Sequence, residues 1–175
     1  YLVRHAEAEG NLYRRIHGQY NSLITDNGYR QIAALAHRFS TIQVDAVYSS
    51  DLFRTCTTAK AVYGPKGLPL NTRPTLREVD MGEWEDKTWG QAAHEDGDLL
   101  RLFNATSPRW QPRGGETFPQ VAERVAGTLR QIARDHRGET VAVFCHGTAI
   151  RCALGLLQGL PPEEWHTLPH SDNTA

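Results

Sequence analysis

The chain has 175 residues, the size of one ordinary domain and enough to bury a core. Hydrophobic residues make up 39% and charged residues 22%, at a formal net charge of -1. That balance leaves no basic footprint for nucleic acid or an anionic membrane, so any affinity for anions must be local.

In chain order, residues 1–3 read as the tail of a strand. Residues 25–39 read as a helix: Thr25 can cap it, and Ile32, Leu35, Ala36 and Phe39 fall at i, i+3, i+4, i+7. A short buried strand is expected at 45–48, a second helix at 51–63 closed by Gly64-Pro65, and a third strand at 70–72. Residues 84–113 lose the pattern: Trp84, Trp89 and Trp110 stand among Asp, Glu, Gly and Pro, which predicts an excursion from the core. Helical period returns over 118–136 through Val121, Val125, Leu129 and Ile132. The apolar run 141–144 suits a buried parallel strand, followed by a helix over 148–157 and a last turn from Pro161-Pro162 through Trp165. This alternation predicts a single-domain, three-layer α/β/α sandwich over residues 1–175, with a mainly parallel sheet and right-handed crossovers.

Ligands in such sheets bind beyond the carboxyl ends of the strands. Three of those ends are polar: Arg4-His5, then Ser49-Ser50-Asp51 leading to Arg54, then His146-Gly147. Singly, each histidine reads as an ordinary surface or core residue, and Arg54 as a solvated helix arginine. Converging on one mouth, they suit phosphate chemistry. Arginine forks bind phosphate oxygens bidentately, and a neutral imidazole can attack phosphorus, dividing one displacement into two. Gly147 lets backbone approach, and the amides that open the next helix can donate to an anion.

Five blocks then carry a resemblance. Arg4-His5-Ala6-Glu7, with Asn11 following, resembles the RHG motif of the histidine phosphatase superfamily, also called the phosphoglycerate mutase-like family. Ser49-Ser50-Asp51-Leu52-Phe53-Arg54-Thr55 is similar to its SSxLxRT segment, and Leu76 to Trp84 to its LxExxxGxW block. Gly114-Gly115-Glu116-Thr117 resembles its GGES turn, and Cys145-His146-Gly147-Thr148 its second histidine motif. The resemblance implies a metal-independent phosphatase without a cofactor. His5 would become phosphorylated, Arg4, Arg54 and His146 would hold the phosphoryl group, and Glu78 would act as acid and then base. Asn11, His17, Gly18, Gly147 and Thr148 would contact the phosphate. His17 stands where glutamine or threonine is commoner. Relatives continue beyond Ala175 into another strand, so a fragment of a longer protein is expected.

Mutases of the family carry a tyrosine shortly after the acid and a larger basic insertion. Here Val79-Asp80-Met81 occupies the first place, and Lys87, Arg101, Arg109 and Arg113 are offset by Glu85, Asp86, Glu95, Asp96 and Asp98. A phosphatase acting on small organic phosphomonoesters is therefore expected. The alternatives are a cofactor-dependent mutase and a non-catalytic module that binds phosphorylated ligands. The three tryptophans of the excursion would either wall the site or merely pack the excursion down. Cys56, Cys145 and Cys152 show no CxxC spacing, which fits a reducing, cytoplasmic location, and Cys145 reads as a buried, inert thiol. Eight histidines show no HxH or HExxH spacing, so no metal site is expected. No apolar run matches a bilayer span and no signal peptide opens the chain, so neither nucleic acid nor membrane is an expected partner. A homodimer fits the resemblance, although no apolar helix face demands one.

Overall fold

The computed structural model describes residues 1–169 and 171–175. Strands Leu2–Arg4 (β1), Ala46–Ser49 (β2), Leu70–Thr72 (β3) and Val141–Cys145 (β4) form one parallel sheet in the order β1-β4-β2-β3. The described α-helices are Glu9–Tyr13 (α1), Asp26–Phe39 (α2), Phe53–Lys66 (α3), Trp89–Glu95 (α4), Gly97–Asn104 (α5), Phe118–Asp135 (α6) and Gly147–Leu157 (α7), and short 3-10 turns lie at Pro74–Leu76, Gly82–Trp84 and Pro162–Thr167.

Side chains alternate across the strands and divide the core into two layers. Val3, Val47, Ala142 and Phe144 meet Leu35 and Phe39 of α2 and Ala59 and Val62 of α3. Tyr48, Val143 and Cys145 meet Val121 and Val125 of α6 and Ile150 and Ala153 of α7. Each fully buried large side chain contributes about 1.5–3 kcal/mol relative to exposure. The result is an α/β/α sandwich. No described helix is long and apolar enough to cross a membrane.

Local chemistry explains the helix starts. Thr25 accepts the Gly28 N–H at the head of α2, and Thr117 forms a reciprocal capping box with Gln120 at the head of α6. The expected helix at 51–63 is corrected at both ends: α3 begins at Phe53, and it does not close at Gly64-Pro65 but continues to Lys66. Proline clashes with the Cβ of the residue before it, and Gly64 has none. The helix stops at Gly67, whose φ of 65° is left-handed, with Leu68 N–H returning to Tyr63 O at 3.0 Å. The short helix α1 has too little period to be read in advance, and α7 begins one residue earlier than expected.

Residues 84–113 carry α4 and α5, and two of their tryptophans belong to the core. Trp84 is 1% exposed and Trp110 is 0% exposed. Trp110 stacks on Phe118 of α6 at 4.6 Å, and Phe103 lies edge-on to Trp110 at 5.2 Å. These rings fasten the segment to the sandwich, whereas Trp89 faces the cavity described next.

Candidate active site

Sheet register brings distant residues together. Arg4 pairs with Cys145, so His5 and His146 leave β1 and β4 side by side, with ring centroids 5.2 Å apart. Ser49 pairs with Phe144, which sets Ser50 against His146. A cavity of about 540 Å³ opens here. Arg4, His5, Arg54 and Glu78 line it, as do Asn11, His17, Gly18, Gly147 and Thr148. His146 lies behind this wall, wholly buried. His5 is also buried.

Hydrogen bonds fix the protons of both histidines. His5 Nδ1 lies 2.7 Å from the Ala6 carbonyl oxygen, which only accepts. Nδ1 therefore carries the proton, and Nε2 stays unprotonated with its lone pair as an acceptor. Arg54 Nε donates to that Nε2 at 3.3 Å. The other Arg54 nitrogens donate to Tyr20 O at 2.9 Å and Gly18 O at 2.7 Å, so the arginine braces the loop that carries His17. Behind them, Thr55 Oγ1 lies 2.8 Å from Leu52 O and so gives its proton to backbone. Ser50 Oγ, 2.6 Å from Thr55 Oγ1, then donates to that hydroxyl and accepts from His146 Nε2 at 2.7 Å.

Burial and the neighbouring cations keep these rings neutral. Desolvation, then Arg54, hold His5 well below the ordinary histidine value of 6.5, and His146 likewise. His17 is lowered to about 4 by desolvation, then by Arg54 and Arg4. Desolvation lowers Arg54 itself to about 10, which leaves it charged near neutral pH. Burial pushes the Cys145 thiol up to about 12, and its Sγ donates to Leu76 O.

Glu78 bridges to the last strand's helix. Its Oε1 accepts N–H bonds from Val79 at 2.9 Å and Ala149 at 2.8 Å, and its Oε2 accepts one from Thr148 at 3.1 Å. The Thr148 amide is thus already taken, and Gly147 supplies the remaining cavity-facing backbone of α7. Oε1 has both lone pairs filled, while Oε2 keeps one site open toward the cavity side. Asn11 accepts the Ala8 N–H through Oδ1, leaving its amide hydrogens as donors.

Several residues here had no separate signal in the sequence. Arg14 and Arg15 line the cavity, with Arg15 held by Asp86 at 2.9 Å. The Ser50–Thr55 relay and Arg124, described below, also went unread. Ser50 and Thr55 lie within a recognised motif, but Arg124 looks like any helix arginine. Among the described residues no cluster of three or more His, Cys, Asp or Glu side chains could hold a metal ion.

The family described as histidine phosphatase superfamily (branch 1) matches residues 1–175. The chain is 35% identical over 162 residues to Probable phosphoglycerate mutase GpmB of Cronobacter sakazakii, covering 92% of this chain and 75% of that protein. Bacillus stearothermophilus YhfR superposes with a TM-score of 0.94 at 28% identity, over 99% of this chain and 86% of that one. The mycobacterial glucosyl-3-phosphoglycerate phosphatase in complex with VO3 superposes at 0.91 and 26% identity, over 99% and 88%. With its paired strand-end histidines and a match along its whole length, the chain belongs to the histidine phosphatase superfamily (branch 1).

Proposed function

We propose that the protein is a metal-independent phosphatase that hydrolyses phosphomonoesters of small organic molecules through a phosphohistidine on His5. The observation that carries this reading is the unprotonated Nε2 of His5, fixed by the Nδ1 bond to Ala6 O and bordering a cavity lined by Arg4 and Arg54. In the first step Nε2 attacks phosphorus, and the bond from phosphorus to the leaving oxygen breaks. Glu78 gives its proton to that oxygen. In the second step water attacks the phosphohistidine, Glu78 takes a proton from it, and the bond from phosphorus to Nε2 breaks, so the enzyme returns to its starting state. Arg4, Arg54, Asn11, His17, Gly18 and the Gly147 backbone hold the phosphoryl oxygens and stabilise their charge, while the role expected of His146 is corrected: its one proton goes to Ser50, and it stands beside His5 behind the cavity wall.

A mutase-type transfer is the second reading, favoured by the likeness to Probable phosphoglycerate mutase GpmB. Against it, none of Lys87, Arg101, Arg109 and Arg113 lines the cavity. Lys87 is engaged with Glu95, Arg101 with Asp98 and Arg113 with Glu83. Trp89 and Phe103 instead offer the leaving group an apolar wall. The cysteines are all unpaired, which supports a cytoplasmic reading.

The test is a panel assay with EDTA present, offering p-nitrophenyl phosphate, 3-phosphoglycerate with its bisphosphate, and a set of metabolite phosphates. Phosphate release without isomerisation is the expected result. Isomerisation would move the protein to the mutase branch, and silence on both would favour the phospho-ligand binding module.

A further inference from the structure

The turn at Gly114-Gly115-Glu116-Thr117 resembles a family motif, yet none of its residues lines the cavity. Its surroundings give it a task. Arg124 of α6 has five N–H donors, and all five are used. Nε and Nη2 hold the two carboxylate oxygens of Glu116, each at 2.7 Å. Nη2 also donates to Glu78 O at 2.8 Å, and Nη1 donates to Arg77 O at 2.7 Å and Thr75 O at 3.1 Å. Glu116 in turn accepts the Asp80 N–H at 3.0 Å, and its own N–H donates to Asp80 O at 3.0 Å. The backbone on both sides of Glu78 is thereby gripped at residues 75, 77, 78 and 80.

The turn also approaches that segment backbone to backbone. A Cβ on Gly82, whose φ is +52°, would lie 2.1 Å from Arg113 O, and one on Gly115 would lie 2.5 Å from Asp80 O. Only glycine fits such distances and such a φ. The grip is therefore close at several points, while the far end of Glu78, its carboxyl, rests on the amides of α7.

We infer that Arg124 and Glu116 are positioning residues for Glu78: they fix the backbone from which its carboxyl is aimed at the leaving oxygen. This rests on the acid role of Glu78 proposed above. Neither residue lines the cavity, so their effect reaches it through the segment that carries Glu78. A lysine at 124 would keep the charge but has no planar fork to span Glu116 and three carbonyls.

The test is a substrate ratio. Arg124→Lys and Glu116→Gln would each be assayed on p-nitrophenyl phosphate, whose leaving group needs little protonation, and on an alkyl phosphate, whose leaving group needs it. General acid catalysis contributes about 10²–10⁴-fold, so a misaimed acid should lower alkyl turnover by about tenfold or more relative to the aryl substrate. In a Glu78→Gln background the same changes should leave the alkyl-to-aryl ratio unchanged, because the acid is already gone. Equal losses on both substrates with a lowered Tm would make the pair a structural bracket only and overturn the inference. A ratio unmoved by Glu78→Gln itself would instead overturn the acid role on which it rests. Should Arg124→Lys not fold, Glu116→Gln carries the same test, since it keeps the shape and the Asp80 contact.

Discussion

Lowering the pH should destabilise this protein through its buried histidines. His5, His17 and His146 are all depressed below their ordinary value of 6.5, chiefly by desolvation and then by Arg54. A histidine depressed in the native state is neutral there while the unfolded chain takes up a proton below 6.5. Its contribution is therefore complete above that pH and is lost as pH falls toward the native value, which for His17 is about 4. One proton difference is worth about 1.4 kcal/mol per pH unit. Between about pH 7.5 and about pH 5.5 the three groups together should remove about 4 kcal/mol. Glu85 acts in the opposite sense: burial raises its carboxyl, so the native state holds that proton longer and gains stability as pH falls. It offsets part of the slope, and the loss that remains is a sizeable share of a typical stability of roughly 5–15 kcal/mol. Urea unfolding followed at several pH values reads this directly. His17→Gln should reduce the histidine part of the slope by about a third. Midpoints that stay flat, or rise as pH falls, would refute the neutral, desolvated histidines.

Two further outcomes follow from single contacts. Ser50→Ala removes the acceptor of the buried His146 Nε2–H, and a lost partner of this kind costs about 1–3 kcal/mol. Turnover should fall about tenfold to a hundredfold, with partial rescue by Ser50→Thr; a lowered Tm at unchanged kcat would remove the relay from catalysis. Trp110→Ala should cost about 3–5 kcal/mol of stability, as for a buried core ring, whereas Trp89→Ala should change KM across leaving groups and leave Tm nearly unmoved. The reverse pattern would mean that the roles of the two rings are exchanged.

Much of the fold was legible in the sequence because its signals are periodic and local. The apolar stripe and Thr25 cap announced α2, and the run at 141–144 announced β4. The candidate site was legible where a polar residue directly follows a strand: Arg4, His5 and His146 are placed by that rule, although both histidines are buried. The rest depended on long-range contact. Trp84 and Trp110 look alike with Trp89 among polar neighbours and all three rings meet Phe103, so only full burial, and for Trp110 the stacking on Phe118, separates core rings from a cavity wall. Arg124 carries no local mark, since its five partners lie at residues 75, 77, 78 and 116. The burial of His5 likewise comes from neighbours contributed by distant segments, among them Arg54 and the segment with Asn173, whose Nδ2 donates to His5 O.

The central claim is the covalent bond to His5, and the most direct measurement is to trap it. Glu78→Gln should still be phosphorylated by p-nitrophenyl phosphate, because that leaving group needs little protonation, yet should hydrolyse the intermediate slowly for want of a base. Quenching this variant at alkaline pH and mapping the peptides by mass spectrometry should find an acid-labile phosphate on His5. Phosphate on His17 or His146, or none on any histidine while turnover proceeds, would contradict the account.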